Sequence, residues 1–148
     1  MAQERKNLLL PGIERWTHDR PIIELSGIEK SFGDKAILRG LDLTCETGKT
    51  TVVMGQSGSG KSVLLRIVNG LARQDAGSVK VFGIELATAT THELTQVRKR
   101  IGVLFQNYAL MDSLTVRDNI AFPLEENSKL GRAEIDRRVR ELLELLDL

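Results

Sequence analysis

The sequence predicts an α/β fold in which a phosphate-binding loop joins a strand to a helix. Residues 55–62 read Gly-Gln-Ser-Gly-Ser-Gly-Lys-Ser, a complete G-x-x-x-x-G-K-S/T pattern. An apolar run with β-type composition, residues 50–54, precedes the pattern, and an apolar run with helical spacing, residues 63–71, follows it. A phosphate-binding loop needs a strand before it and a helix after it, so this context disfavours a chance match in a glycine-rich turn.

The loop predicts that the chain binds a nucleotide. Its glycines allow backbone conformations with positive φ that turn several N–H groups toward one point, and the following helix adds its own N–H groups and dipole. We expect Lys61 to reach the β- and γ-phosphates, which makes it a candidate catalytic residue, and Ser62 to bind Mg²⁺. The predicted nucleotide-binding residues of this segment are Gly55, Gln56, Ser57, Gly58, Ser59, Gly60, Lys61, Ser62 and Val63.

Composition indicates a globular protein of one domain. The chain has 148 residues, 21 Lys and Arg against 20 Asp and Glu, and a net charge of +1, which gives no field for attracting nucleic acid. No apolar run approaches the ~20 residues needed to span a bilayer, and the N-terminus has too short an apolar stretch for a signal peptide. The single cysteine, Cys45, lies in an alternating pattern and is interpreted as a small core residue rather than a metal ligand. We therefore expect a cytoplasmic protein.

The N-terminal third predicts an extension followed by a hairpin. Residues 1–20 are polar and show no period, so we expect a flexible extension. Two β-type segments follow, residues 22–30 and 36–45, joined by the turn dipeptide Gly33-Asp34.

Helical and strand signals alternate through the rest of the chain. We expect a helix after Ser62 that stops at Asn69-Gly70, a strand over 79–82, a helix opened by the capping box Thr90 to Glu93, and a buried strand over 101–105. Residues 107–131 are predicted to be loop-rich with a short helical turn, and residues 132–148 to form an amphipathic helix. The expected apolar faces of the first and last helices comprise Val63, Leu64, Ile67, Val68, Leu71, and Ile135, Val139, Leu142, Leu143, Leu146.

Three further segments give the chain a resemblance to the ATPases of ABC transporters. Ser31-Phe32-Gly33, about two dozen residues before the loop, resembles the family's aromatic A-loop. Residues 103–106, Val-Leu-Phe-Gln, resemble its Q-loop, and residues 114–120, Leu-Thr-Val-Arg-Asp-Asn-Ile, resemble the segment that follows it. The order and spacing match from residue 22 onward, so the resemblance covers nearly the whole chain.

The resemblance implies a site and an architecture. Phe32 would stack on adenine, although an ordinary core residue at a strand end is the alternative, and Gln106 would touch both Mg²⁺ and the attacking water, as a catalytic and metal-binding residue. Residues 107–112 would lie where a membrane partner docks. The implied fold is a P-loop NTPase core with an N-terminal antiparallel β-subdomain, over residues 21–106, and the Q-loop continuation with an incomplete helical subdomain, over residues 107–148.

Two runs, residues 61–65 and 112–126, look most like the ATPases of Mce-type (Mla-like) phospholipid transporters. Methionine-type importers share much of the second run and stay the alternative. The resemblance implies MgATP as cofactor, a homodimer of ATPase subunits, integral-membrane permease subunits, and an Mce-domain lipid-binding protein. It also implies a position on the cytoplasmic face of the inner membrane and no nucleic-acid partner.

The chain departs from the family pattern in its last part. It contains no Leu-Ser-Gly-Gly signature and no apolar run that ends in Asp-Glu, and neither His18 nor His92 has the position of a switch histidine. Residues 142–147 superficially resemble the family's metal-binding strand, the apolar run that ends in Asp-Glu. Glu144 interrupts the apolar run, however, and the apolar residues fit helical spacing instead. We expect the chain to stop within the helical subdomain and to bind ATP without turnover. A soluble ABC protein of DNA repair or translation is the remaining alternative.

Overall fold

A computed structural model describes residues 20–105 and 109–147. The chain divides into two compact units, Met1–Gly102 and Val103–Leu148. The predicted N-terminal extension lies outside the described residues except for Arg20, and the predicted division after residue 106 stays a prediction.

The first unit is built on an antiparallel sheet. Its strands are β1 (Pro21–Phe32), β2 (Lys35–Glu46), β3 (Ala76–Val81) and β4 (Ile84–Glu85), in the order β2-β1-β3-β4. β1 and β2 form the predicted hairpin, and Gly33 takes a φ of 58° in the turn, as its Gly-Asp sequence predicts. Cys45 is half-buried rather than a buried core residue.

Two helices pack on this sheet and close the core. α2 (Thr91–Lys99) begins where the sequence predicts, and the capping box between Thr90 and Glu93 is present. α1 (Lys61–Val68) begins at Lys61, two residues before its predicted start after Ser62. Asn69 caps the end of α1 and Gly70 follows with a φ of 64°, at the predicted stop. Leu71 is 60% exposed, so its predicted place in the core is wrong. The buried core residues are Leu25, Ile28, Leu38, Leu64, Ile67, Val68, Val79, Val81 and Val97.

The two predicted strands over 50–54 and 101–105 are not formed. Neither segment belongs to a strand, and Met54 and Leu104 are 86% and 89% exposed. A strand requires a neighbouring strand to accept its backbone hydrogen bonds, and no strand among residues 20–105 and 109–147 pairs with either segment. The prediction of a strand over 50–54 and of a buried strand over 101–105 is therefore wrong, because apolar composition alone does not supply a partner.

The second unit is a pair of helices with its own small core. α3 (Val116–Asn127) and α4 (Arg132–Leu145) bury Ala121, Leu124, Ile135 and Val139 against one another. α4 confirms the predicted amphipathic helix, although Leu146 follows its end and is exposed.

α3 is longer than the predicted short turn. Its Pro123 lies inside the helix, where the sequence alone indicates a break. The side chain of Thr115 accepts a hydrogen bond from the backbone N–H of Asp118 and so caps the helix. This cap and the apolar contacts with α4 stabilise the helix beyond its local propensity.

Candidate functional site

The predicted phosphate-binding loop leads directly into α1. Gly58 and Gly60 adopt φ values of 76° and 98°, which only glycine takes without strain, and the N–H of Ser59 donates to the carbonyl of Gln56 at 3.2 Å. α1 begins after Gly60 with no side-chain cap and no acidic residue in its first turn. Its first N–H groups are thus free of competing carboxylates, an arrangement that suits an anion.

Lys61 folds its ammonium back into the loop. Its Nζ donates hydrogen bonds to the carbonyl oxygens of Gly55 and Gln56, both at 2.7 Å. The cation is therefore held beside the backbone that a phosphate would approach. Ser62 is exposed, whereas the Val63 side chain packs against the core, which leaves its backbone N–H as the group that can serve a ligand.

The donor set of the loop fits a magnesium ion carried by a nucleotide. In the described ranges there is no group of three or more His, Cys, Asp or Glu that could hold a metal by itself. The Ser62 hydroxyl offers one oxygen, and Mg²⁺ in phosphate sites ordinarily takes only one or two protein ligands beside phosphate oxygens and water. The other predicted ligand, Gln106, lies outside the described residues.

Phe32 is placed at the exposed end of β1. Its side chain is 56% exposed, so it does not belong to the core of the first unit, and the alternative interpretation as a core residue is wrong. The Nζ of Lys30 lies 5.5 Å from the centroid of its ring. Contact with adenine stays a prediction.

The β1–β2 hairpin links Phe32 to the phosphate-binding loop. Phe32 pairs with Lys35 across the hairpin, and the backbone of Gly60 lies against Ile37 and Leu38 a few residues further along β2. The predicted base platform and the predicted phosphate cradle are thus both supported by one hairpin.

Two charged residues beside Phe32 were not singled out from the sequence. Lys30 forms an ion pair with Asp75 at 2.5 Å, and the backbone N–H of Ser31 donates to the same carboxylate. Residues 75–78 read as a turn, and the partners are 45 positions apart, so no local signal indicates the pair.

An open surface depression in the second unit is lined in part by arginines that were not singled out from the sequence. It has a volume of about 690 Å³ and is lined by Arg117, Arg132, Asp136, Val139, Arg140 and Leu143. Arg117 pairs with Asp136 and with Asp118, which raises the pKa of its guanidinium. In sequence these arginines have the pattern of a solvated helix face.

The chain is similar to the ATP-binding subunits of several transport systems. A family model described as "ABC transporter" matches residues 38–148. The methionine import ATP-binding protein MetN of Brucella abortus (strain 2308) is 40% identical over 128 residues, which cover 86% of this chain and 34% of that protein. The probable ribonucleotide transport ATP-binding protein mkl of Mycobacterium tuberculosis is 41% identical over 126 residues, covering 85% of this chain and 35% of that protein. The chain therefore spans about a third of the length of these curated relatives.

Solved structures show the same fold. A dimeric post-hydrolysis state of the ATP-binding cassette MJ0796 bound to ADP and Pi matches with a TM-score of 0.73 and 29% identity, over 85% of this chain and 57% of that one. The structure of cbiO1 from Clostridium perfringens, part of the ABC transporter complex cbiONQ, matches with a TM-score of 0.72 and 25% identity, over 85% of this chain and 50% of that one. In residues 20–105 and 109–147 no helix has both the length and the apolar composition to cross a membrane.

Proposed function

Because this chain belongs to the ABC transporter family, we propose that it binds MgATP as part of the ATP-binding subunit of a transporter. The observation that carries the proposal is the geometry of residues 55–62. Positive φ at Gly58 and Gly60, together with the uncapped first turn of α1, forms an anion cradle that already contains the Lys61 ammonium.

Each residue of the proposed site has a separate task. Lys61 and the loop N–H groups hold the phosphates and stabilise the charge that develops during transfer. Ser62 supplies a hydroxyl oxygen to Mg²⁺, which neutralises phosphate charge when bound. Phe32 stacks on the base, and Gln106 orients the attacking water and links nucleotide state to the membrane subunits.

The test of nucleotide binding compares two lysine variants. Lys61→Ala removes the side-chain cation of the loop, and we expect a loss of MgATP affinity of at least tenfold by isothermal titration calorimetry. Lys99→Ala, at the exposed end of α2, removes a lysine of equal charge far from the loop sequence and serves as the control. Equal affinities in the wild-type chain and the Lys61→Ala variant would refute the assignment.

We further propose that these 148 residues bind ATP without hydrolysing it. The sequence contains neither a Leu-Ser-Gly-Gly signature nor an apolar run ending in Asp-Glu, the segments by which the family completes the site and positions water. A phosphate-release assay on the purified chain at saturating MgATP tests this proposal, and steady release above the Lys61→Ala background would contradict it.

For the transported substrate we propose phospholipid, with a permease and an Mce-domain protein as partners on the cytoplasmic face of the inner membrane. The support is the resemblance of residues 61–65 and 112–126 to Mla-like ATPases. Methionine import is the second candidate, because MetN of Brucella abortus is 40% identical over 128 residues. Affinity purification of the full-length protein from detergent-solubilised membranes distinguishes them: an Mce-domain protein supports lipid transport, whereas a methionine-type permease supports import.

We also propose that two full-length subunits form a dimer around two ATP molecules. The solved cassette MJ0796 is a dimer, which supports this arrangement. The net charge of +1 disfavours a non-transport role in DNA repair or translation. That role would predict co-purification with nucleic acid rather than with a membrane permease.

A further inference from the structure

The Phe32 ring has a cation on one side. The Nζ of Lys30 lies over the ring at 5.5 Å from its centroid, within the range of about 6 Å for a cation–π interaction. The two residues are two positions apart at the end of β1, and their side chains meet there. The ring is half exposed although the ammonium lies beside it, so part of its surface is left for a ligand.

Lys30 is in turn held by Asp75. Its Nζ donates to Oδ1 of Asp75 at 2.5 Å, and the Lys30 side chain is only 17% exposed. The other carboxylate oxygen, Oδ2, accepts from the N–H of Ser31 at 2.7 Å, and the N–H of Asp75 donates to the carbonyl of Glu29 at 2.9 Å. Asp75 therefore contacts the three consecutive residues that precede Phe32.

The hydrogen bonds of Asp75 lie where the regular strand pairing of β1 ends. The pairing of β1 with β3 stops at Glu29 opposite Ala76, and the pairing of β1 with β2 shifts register between Lys30 and Ser31. Beyond the last pair with β3, the side chain of Asp75 thus accepts the hydrogen bond from the N–H of Ser31 in place of a strand carbonyl. The hydrogen bond from Lys30 and then that from Ser31 lower the pKa of Asp75, because both stabilise the charged carboxylate.

We propose that Lys30 and Asp75 are positioning residues for the nucleotide base. Asp75 fixes the end of β1 and the Lys30 ammonium, and Lys30 holds the Phe32 ring in the orientation that stacks on the base. A ring that is ordered before binding loses less conformational freedom when the ligand arrives, so the same contact area gives a tighter complex. This inference rests on the proposed function, since it requires that Phe32 receive a base.

The test uses three variants of this network and one control in the 148-residue chain. Lys30→Met removes the ammonium but keeps most of the apolar stem, Asp75→Asn removes the charge but keeps the shape, and Lys30→Arg preserves the cation. Lys99→Met, on the exposed end of α2, is the matched control.

Isothermal titration calorimetry with MgATP and with magnesium tripolyphosphate separates base from phosphate recognition. We expect Lys30→Met and Asp75→Asn to weaken MgATP binding about two- to fivefold, the scale of one exposed cation–π contact. Lys30→Arg and Lys99→Met should bind MgATP as the wild type does, and tripolyphosphate should bind to all forms equally.

A double variant distinguishes positioning from general support of the fold. If Lys30 acts through the ring, then adding Lys30→Met to Phe32→Ala should weaken MgATP binding no further. Additive losses, equal losses for tripolyphosphate, or unchanged MgATP affinity in both single variants would overturn the positioning role. If Phe32→Ala weakens MgATP binding while Lys30→Met and Asp75→Asn do not, the positioning role fails but the proposed function stands. If the wild-type chain binds neither MgATP nor tripolyphosphate, the proposed function itself is wrong.

Discussion

The backbone of Gly60 lies so close to Ile37 that a β-carbon at residue 60 would stand 2.8 Å from its Cγ2 atom. The same added carbon would lie 3.0 Å from Cδ2 of Leu38. Gly60 is buried and precedes α1, whereas Ile37 and Leu38 belong to β2. The phosphate-binding loop therefore packs at Gly60 directly against side chains of the hairpin that carries Phe32.

We predict that Gly60→Ala destabilises the chain more than Gly58→Ala. Both glycines have positive φ, so alanine costs roughly 1–2 kcal/mol of backbone strain at either position. Only at residue 60 does the new methyl group collide with neighbours, which adds about 1–3 kcal/mol; at residue 58 nothing lies within 4 Å. Urea denaturation without nucleotide measures both, and equal losses would contradict the close approach.

Phe32→Ala should weaken MgATP binding by roughly 1–3 kcal/mol, the scale of stacking between a base and an aromatic ring. Tripolyphosphate has no base and should bind equally to both forms. Phe122→Ala, which removes a ring that is 39% exposed from α3, is a control that should leave MgATP affinity unchanged. Calorimetric titration provides the comparison, and a parallel loss for both ligands would mean that residue 32 supports the fold instead of the base.

Features encoded by neighbouring residues were predictable from the sequence. The hairpin turn at Gly33, the capping box of Thr90 and Glu93, and the loop leading into α1 each depend on residues only a few positions apart. Local backbone chemistry is enough to specify such features, since their hydrogen bonds close within one turn.

Features that depend on distant partners were not predictable. The apolar runs at 50–54 and 101–105 have strand composition, but whether they form strands depends on a neighbour to pair with. α3 contains Pro123 and still forms, since its packing against α4 outweighs the local penalty. The pair of Lys30 and Asp75 joins residues 45 positions apart, and only the folded sheet brings them together.

The ion pairs of Glu134 should make α4 sensitive to acid. Hydrogen bonds from Arg137 and then Arg138, at 2.7 and 2.9 Å, lower the pKa of this carboxyl from its ordinary 4.5 to about 2. A lowered carboxyl pKa stabilises the fold above pH 4.5, and this contribution disappears as the pH falls toward 2. Its size is small, because the group is partly exposed and the pairs are screened by solvent.

We therefore predict that Glu134→Gln lowers the urea midpoint at pH 7 and that the difference from wild type shrinks with falling pH. Glu144→Gln in the same helix removes an equal charge that forms none of these ion pairs, and it should not lower the midpoint. A pH-independent difference for Glu134→Gln would show that the ion pairs do not supply the effect.

The run at residues 101–105, which belongs to no strand and is exposed from residue 102 onward, should make the purified chain prone to self-association. Leu104 is 89% exposed, and in the part of the chain that the structure describes no strand pairs with this run. The N–H of Ile101 bonds to the carbonyl of Arg98, but the backbone groups that follow it can pair with another chain. A lysine on such an edge opposes pairing through charge repulsion and the cost of burying an ammonium.

We predict that Leu104→Lys lowers the weight-average mass in sedimentation velocity without lowering the urea midpoint, because the leucine it replaces contributes no buried area. Leu145→Lys is the matched control, since this leucine is also exposed, at 66%, but is the last residue of helix α4 rather than part of an unpaired run, and it should change the mass less. If both variants lower the mass equally, exposed leucine surface rather than an unpaired backbone edge drives the association.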